Sequence, residues 1–127
     1  MTKFSNAYDL EERTGKFGES IIALCKTTKI TIFNKSIISQ IIRSATSVGA
    51  NYMEANGASS KKDFRNKIYI SKKELQETKH WLRMLAKCNP EKRSEIVKLW
   101  AECHQLTLIF QKITQSLKIK NCKLNEN

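Results

Sequence analysis

The sequence predicts an all-α protein, folded as an up-down-up-down antiparallel four-helix bundle. The 127 residues include only one proline and four glycines, too few turn-forming residues for the many strand ends of an all-β domain. Apolar residues recur at alternating spacings of three and four along four long segments, which is the period of an amphipathic helix. The length suits one domain with a single core, which we expect over residues 1–117.

The first two predicted helices are separated by a short apolar link. Helix 1 covers about 9–27, and helix 2 covers 35–56, with Asn34 as its N-cap and Gly57 as a left-handed residue at its end. Because apolar residues alternate with threonines in the link at 28–33, we expect it to lie extended against one end of the bundle. The apolar residues of this link are Ile30, Ile32 and Phe33.

The last two predicted helices have regular apolar seams. Helix 3 covers 61–87 and begins at a capping box formed by Ser60 and Asp63. Helix 4 covers 90–117, with Asn89 as a cap and Pro90 at the first helical position. The seams are Phe64, Ile68, Ser71, Leu75, Thr78, Leu82 and Leu85 in helix 3, and Ile96, Leu99, Cys103, Leu106, Phe110, Ile113 and Leu117 in helix 4. The connections are short, which predicts antiparallel neighbours, and residues 118–127 are predicted to be a basic flexible tail.

A row of small and polar residues runs along helix 2 beside its apolar face. It consists of Gln40, Ser44, Ser47, Asn51 and Glu54. Small side chains allow a neighbouring helix to come close, and polar groups near a core need hydrogen-bond partners. We interpret the row as a packing surface, with Ser44 and Ser47 allowing the approach and Asn51 and Glu54 setting the register through hydrogen bonds.

Positive charge is concentrated in helix 3. The chain has 23 Lys and Arg against 12 Asp and Glu, and eleven of the basic residues lie in 57–93 with four acidic ones. Such an excess favours contact with phosphates, although a solvated helix face is the plain alternative. No helix-turn-helix motif or aromatic alternation indicates recognition of a base sequence. The candidate nucleic-acid-binding residues are Lys61, Lys62, Arg65, Lys72, Lys73, Lys79, Arg83 and Lys87, of which Arg65, Lys72 and Lys79 repeat every seven residues.

Helices 3 and 4 carry more apolar residues than one seam requires. A second apolar stripe on a helix indicates cover by another body, as in an oligomer, or else a wide core in a monomer. We predict oligomerisation because two of these residues are tryptophans. The candidate interface residues are Ile70, Trp81, Met84 and Trp100.

No set of residues points to an enzyme. Glu77 and His80 form one E-x-x-H, the spacing used in dimetal bundles, but no second copy is present. The seam also passes between them, so the two side chains point to different flanks. Cys103 and His104 are adjacent on a helix and cannot form a nucleophile–base pair. We therefore predict no catalytic residue, no metal site and no cofactor.

The cysteines and the polar N-terminus indicate the compartment. Cys25, Cys88, Cys103 and Cys122 include no C-x-x-C pair and are interpreted as free thiols. Residues 1–6 are polar, and no apolar run has the length of a membrane span. These features predict a cytoplasmic protein without a membrane partner.

Two blocks of residues resemble a known family. They are Arg43-Ser44-Ala45-Thr46-Ser47-Val48-Gly49-Ala50-Asn51-Tyr52-Met53-Glu54-Ala55, with Lys62-Asp63-Phe64 after it, and Lys73-Glu74-Leu75-Gln76-Glu77-Thr78-Lys79-His80-Trp81-Leu82. Over about residues 8–117 the chain is similar to the bacterial four helix bundle proteins. These were first noted as products of intervening sequences in large-subunit ribosomal RNA genes, and they are related to the accessory variability determinant of diversity-generating retroelements.

The resemblance implies a basic, ring-shaped homopentamer of four-helix bundles. It also implies a partner role, since the retroelement relatives bind a reverse transcriptase and its template RNA without catalysis of their own. The family's motif residues fall on Arg43, Ser47, Asn51, Glu54, Glu77 and Trp81, and we assign Arg43 and Glu77 with the polar row to structural roles. His80 departs from the Tyr of many members, and Gly18 in helix 1 is unusual.

The leading hypothesis is a non-enzymatic, oligomeric protein that binds nucleic acid through phosphates, RNA rather than DNA, as an accessory to a reverse transcriptase. The alternative is a protein-interaction module whose charge serves solubility or an acidic partner. A bundle enzyme that uses Glu77 and His80 is the third and weakest hypothesis.

Overall fold

Four long helices make up most of the chain in the computed structural model, which describes the backbone of residues 6–126 and the side chains of 9–118. The helices are α1 (Asn6–Lys26), α2 (Lys35–Asn56), α3 (Lys61–Cys88) and α4 (Arg93–Glu126), and a 3₁₀ turn, Pro90–Lys92, precedes α4. The described backbone contains no strand, and the prediction of an all-α four-helix bundle is confirmed.

The helix α3 begins at the predicted residue and with the predicted Ser60 cap. Ser60 is extended, with φ −147° and ψ 160°, and its Oγ accepts a hydrogen bond from the backbone N–H of Asp63 at 3.0 Å. This bond satisfies one of the free N–H groups of the first turn. The bounds of α2 agree with the prediction, and α3 is one residue longer.

Two predicted helix ends are wrong in detail. Asn34 precedes α2 but forms no side-chain cap, because its amide is engaged elsewhere. Gly57 has φ −98°, so it is not left-handed. Its N–H instead bonds to the carbonyls of Met53 and Glu54, which closes the last turn of α2 with the chain still in a right-handed conformation.

The predicted start and end of the last helix also need correction. Asn89 and Pro90 lead into the 3₁₀ turn rather than directly into an α-helix, and α4 begins at Arg93. At the other end the backbone of α4 stays helical through Glu126, beyond the predicted limit of 117. The side chains of residues 119–127, and with them most of the predicted basic tail, lie outside the described part.

The core forms where the four apolar faces meet. Within the described part the backbone of α1 lies next to α2 and α4, and that of α3 lies next to the same two helices, so α1 and α3 are diagonal to each other. Ile41, Val48, Leu75 and Leu82 are fully buried, and Tyr52 meets Phe110 edge-on with ring centroids 5.5 Å apart. Among the described residues, no helix is both long and apolar enough to cross a membrane.

The link between α1 and α2 is held by a pair of buried asparagines. Asn34 Nδ2 donates to Asn89 Oδ1 and to the carbonyl of Lys29, both at 2.9 Å, and Asn34 Oδ1 accepts from Thr31 N–H at 2.8 Å. The two connections at this end of the bundle are thereby joined. The apolar side chains of the link are not tucked in as expected, since Ile32 is 89% and Phe33 is 78% exposed.

Candidate nucleic-acid interface

The acidic residues in the middle of α3 are turned toward α2, where both of them pair with one arginine. Arg43 Nη1 donates to Glu74 Oε2 at 2.9 Å, and Arg43 Nη2 pairs with Glu77. Arg43 Nε also donates to Gln40 Oε1 at 2.9 Å, and Trp81 Nε1 donates to Glu77 at 3.0 Å. The guanidinium thus joins two carboxylates of the neighbouring helix.

The pKa shifts of Arg43 and Glu77 follow from the hydrogen bonds that these side chains form. The hydrogen bond to Glu74 is the largest cause that raises the pKa of Arg43. The N–H of Trp81, followed by the charge of Arg43, holds the pKa of Glu77 below its usual range. Both carboxylates are therefore bonded to groups on α2 and α3, and the charge of Lys73 also lowers the pKa of Glu77.

The eight candidate nucleic-acid-binding residues of α3 have no such partners, although Lys67 of the same helix pairs with Glu54. Among the described side chains, none of the eight candidate residues forms an ion pair. Lys61, Lys62, Lys73, Arg83 and Lys87 are exposed, and Arg65, Lys72 and Lys79 are half-buried. We call these eight residues the basic surface of α3. The acidic residues Glu74 and Glu77 of the same helix are bonded to Arg43 and form no ion pair with this surface.

Arg65, Lys72 and Lys79, which recur every seven residues in the basic surface, lie on the flank of α3 that faces α4. Lys79 Nζ is 3.3 Å from Nδ1 of His104 and 5.3 Å from the ring centroid of Trp100. The rings of Trp100 and His104 are stacked, with centroids 5.3 Å apart and planes within 12°. Arg65 and Lys72 recur at the helical repeat of Lys79, so they lie along the same line. The sequence offered no signal for this cluster, since its members come from two helices.

The polar row of α2 lies at its crossing with α3. Ser44 is buried and accepts a hydrogen bond from Thr78 Oγ1 at 2.8 Å, while Ser71 Oγ donates to the carbonyl of Val48 at 3.0 Å. Close approach of the two backbones is needed for these bonds. The small polar residues of the α3 seam, Ser71 and Thr78, are the partners that sequence reasoning did not assign.

The remaining members of the row behave differently from one another. Ser47 is half-buried, and its carbonyl accepts from Asn51 Nδ2 at 2.8 Å, a bond within α2. Glu54 is exposed and pairs with Lys67 Nζ of α3 at 2.7 Å. Of the two residues predicted to set the register, only Glu54 forms a described side-chain bond to another helix.

The candidate interface residues lie on two different flanks of the bundle. Trp81 bonds to Glu77 and so faces α2, and Ile70 and Met84 follow the same stripe at helical spacing. These three side chains are half-buried. Trp100 is 40% exposed and lies on the opposite side of α3, against Lys79. They do not form one continuous patch on the protomer.

The residues considered for catalysis are separated or engaged. Glu77 is bound by Arg43 and Trp81, whereas His80 is exposed, with its ring centroid 4.8 Å from that of Trp81. No group of three or more His, Cys, Asp or Glu within the described residues is placed to hold a metal ion. Burial raises the pKa of Cys25 to about 11 and that of Cys103 to about 12, so these thiols are poor nucleophiles near neutral pH. Cys122 lies outside the described side chains.

Comparisons with known proteins agree with the helical architecture. The model of the 23S rRNA-intervening sequence protein family matches residues 8–118. A solved structure, that of a protein with unknown function from the S23 ribosomal protein family of Bacteroides thetaiotaomicron, is 30% identical in sequence, with a TM-score of 0.73. The match covers 82% of this chain and 96% of that one. No curated protein matches the chain.

Proposed function

Because the chain belongs to the family of 23S rRNA-intervening sequence proteins, we propose that it is a non-enzymatic protein that binds RNA through the phosphate backbone. The chain resembles retroelement accessory proteins that bind a template RNA, and this resemblance favours RNA over DNA as the ligand. The basic surface of α3 is the proposed contact. Neutralisation of phosphates by Lys and Arg releases counterions, so the binding is sensitive to salt.

One observation carries this proposal. Arg43 takes up Glu74 and Glu77, and within the described side chains the eight residues of the basic surface are left without an acidic partner. A helix whose charges served only solubility would gain as much from exposed pairs of opposite sign. The unpaired charges of the basic surface are all positive. On the flank next to α4 they include Arg65, Lys72 and Lys79, which recur every seven residues.

The proposal extends to the assembly. The pairs between α2 and α3, Lys67 with Glu54 near their connection and Glu74 with Arg43 further away, support an up-down-up-down antiparallel bundle. We propose that such bundles form a homopentameric ring, with Ile70, Trp81 and Met84 as contacts between copies. We further propose that the protein acts in the cytoplasm as an accessory of a reverse transcriptase.

Charge reversal on the basic surface tests the RNA contact. We expect the Lys72→Glu/Lys73→Glu variant to bind RNA more weakly at every salt concentration. Its plot of log K against log salt should be shallower by about two, since two phosphate contacts are removed. The measurement is fluorescence anisotropy of a labelled RNA titrated with the full chain at several ionic strengths.

A matched variant controls for net charge. Lys26→Glu/Lys98→Glu removes the same charge from exposed positions on α1 and α4, neither of which belongs to the basic surface. We expect it to keep the wild-type salt dependence and most of the affinity. Equal losses in the two variants would reduce the effect to net charge, and absence of salt-sensitive RNA binding by the wild type would refute the proposed function.

A second candidate function is a protein-interaction module, and the link between α1 and α2 favours it. Ile30 is 53% exposed, Ile32 89% and Phe33 78%, while the backbone around them is held by the Asn34–Asn89 pair. Exposed apolar residues on an ordered link suit a contact with another protein. If this candidate is right, a partner protein co-purifies with the chain even after nuclease treatment. The Ile32→Ser/Phe33→Ser variant should lose this co-purification, and the Lys72→Glu/Lys73→Glu variant should keep it.

A further inference from the structure

An aromatic and apolar row on α4 runs beside the basic surface of α3. Val97, Trp100, His104 and Leu108 follow one another at spacings of three, four and four, so they share one side of α4. We call them the Trp100 row. Val97 is 53% exposed, and Trp100 and Leu108 are each 40% exposed. These residues are too exposed to belong to the core.

Contacts between α3 and α4 fix how the two rows are aligned. Cys103 Sγ lies 3.2 Å from the carbonyl oxygen of Leu75, and Lys79 Nζ lies 5.3 Å from the centre of the Trp100 ring. One turn further toward the connection, Arg83 of α3 comes opposite Val97 of α4. In the other direction Lys72 comes level with Leu108, so basic positions of α3 recur at the levels of the apolar positions of α4.

The chemistry of this strip differs from that of a plain basic helix. Lys79 Nζ lies over the indole of Trp100 and within 3.3 Å of His104 Nδ1, so a positive charge stands beside the two stacked rings. Phosphates are attracted by Arg65, Lys72 and Lys79, while the exposed part of the indole offers a π surface. Stacking of bases on aromatic side chains beside a cationic track is how proteins hold single-stranded nucleic acid.

We infer that the Trp100 row and the basic surface together form a site for single-stranded RNA, in which an unpaired base stacks on Trp100 while the backbone follows Lys72, Lys79 and Arg83. The inference rests on the proposed function and adds the form of the ligand. A duplex keeps its bases stacked on one another and offers only phosphates to α3. The site therefore distinguishes unpaired from paired RNA.

The test compares two substitutions of Trp100 on two RNA probes. The probes are a labelled oligouridylate and a labelled RNA duplex of equal length, titrated with the full chain near physiological ionic strength. Trp100→Leu keeps an apolar side chain but removes the π face, and we expect it to lose about 5- to 150-fold in affinity for the oligouridylate. Affinity for the duplex should change less than twofold, and Trp100→Phe should recover part of the loss.

A second readout reports on stacking directly. The chain has two tryptophans, so in a Trp81→Phe background Trp100 is the only indole fluorophore. We expect saturating oligouridylate to quench its emission and the duplex to leave it nearly unchanged. Circular dichroism and the mass in solution show whether each variant keeps its fold and assembly.

The outcomes separate this inference from the proposed function. If Trp100→Leu binds both probes as the wild type does, the stacking site is refuted while phosphate binding stands. An equal loss on both probes also refutes it, because Trp100 then acts without regard to unpaired bases. If the wild type binds neither probe, both proposals fail.

Discussion

Arg43 of α2 donates a hydrogen bond to a carboxylate of α3, that of Glu74, whose side chain is only 9% exposed. The bond joins residues 31 positions apart in the sequence. Within the described residues the other oxygen of Glu74, Oε1, is buried without a hydrogen-bond partner. The guanidinium is therefore the main compensation for a buried negative charge between the two helices.

Removal of Arg43 should destabilise the bundle. Arg43→Ala leaves the Glu74 carboxylate buried and unpaired, and we expect the free energy of unfolding to fall by about 2–3 kcal/mol, less than for a fully buried pair because Arg43 is itself half in water. Urea denaturation monitored by circular dichroism measures it. Adding Glu74→Gln to Arg43→Ala should restore part of the loss, and a double variant no more stable than Arg43→Ala would contradict this account.

The contribution of Glu77 should depend on pH. Its pKa is lowered in the folded state, chiefly by the N–H of Trp81 and then by Arg43, so its charged form stabilises the fold above the ordinary value of 4.5. This contribution is lost as the pH falls through the folded-state pKa. We expect Glu77→Gln to be less stable than the wild type at pH 7. The difference should shrink on acidification below the ordinary pKa of 4.5.

Denaturant titrations at a series of pH values would measure this effect. Glu19→Gln is a suitable control, because it removes an exposed carboxylate of α1 that forms no described ion pair. Both variants remove one negative charge from a basic protein, but only Glu77→Gln also weakens the contacts with Trp81 and Arg43. A difference between Glu77→Gln and the wild type that stays constant from pH 7 into the acidic range would argue against the role of the Trp81 and Arg43 contacts.

The asparagine pair at the connected end of the bundle should contribute to stability. Asn34 is fully buried and its side chain forms three described hydrogen bonds, so Asn34→Ala leaves the Asn89 oxygen and the Lys29 carbonyl without this partner. We expect a loss of about 2–3 kcal/mol in the free energy of unfolding. Asn66→Ala, at an exposed position of α3, should cost less than about 0.5 kcal/mol in the same measurement. If the two variants lose similar amounts of unfolding free energy, the buried asparagine pair does not stabilise the bundle more than an exposed asparagine does.

Two glycines at the contact of α1 and α2 should respond oppositely to alanine. A Cβ at Gly15 would meet nothing within 4 Å, so Gly15→Ala should stabilise the chain by about 0.5–1 kcal/mol through helix propensity. A Cβ at Gly49 would lie 3.3 Å from Thr14 Oγ1 and 3.5 Å from its backbone carbon. Crowding there offsets the gain, so Gly49→Ala should be neutral or destabilising. Thermal melts of both variants test the contrast, which fails if Gly49→Ala stabilises as much as Gly15→Ala.

The helices could be predicted from the sequence because their causes are local. The period of the seams and the Ser60 cap act within a few residues, and so α2 has the expected bounds and α3 is longer by only one residue. One error occurred because a side chain had a distant alternative. Asn34 was predicted to cap α2, but its amide bonds to Asn89, 55 residues away, and the link that it anchors leaves Phe33 exposed.

The candidate site was predictable in part for the same reason. The excess of basic residues and the sevenfold repeat of Arg65, Lys72 and Lys79 can be counted along one helix. The sequence does not show which acidic residues pair with these basic ones, because the partner of Glu74 and Glu77 is Arg43 of another helix. The assignment of Trp100 to the same surface as Trp81 also depended on how helices are placed side by side, and the structure puts them on different flanks of α3.

The sequence by itself determined the number of long helices, the apolar seams of the last two and the basic character of α3, because helical period and charge are properties of short segments. Only the tertiary structure decided that Arg43 meets Glu74, that Asn34 meets Asn89 and that Lys79 lies against Trp100. These contacts depend on the register between helices. A shift of one turn, about 5.4 Å, would exchange every partner while leaving each amphipathic pattern unchanged.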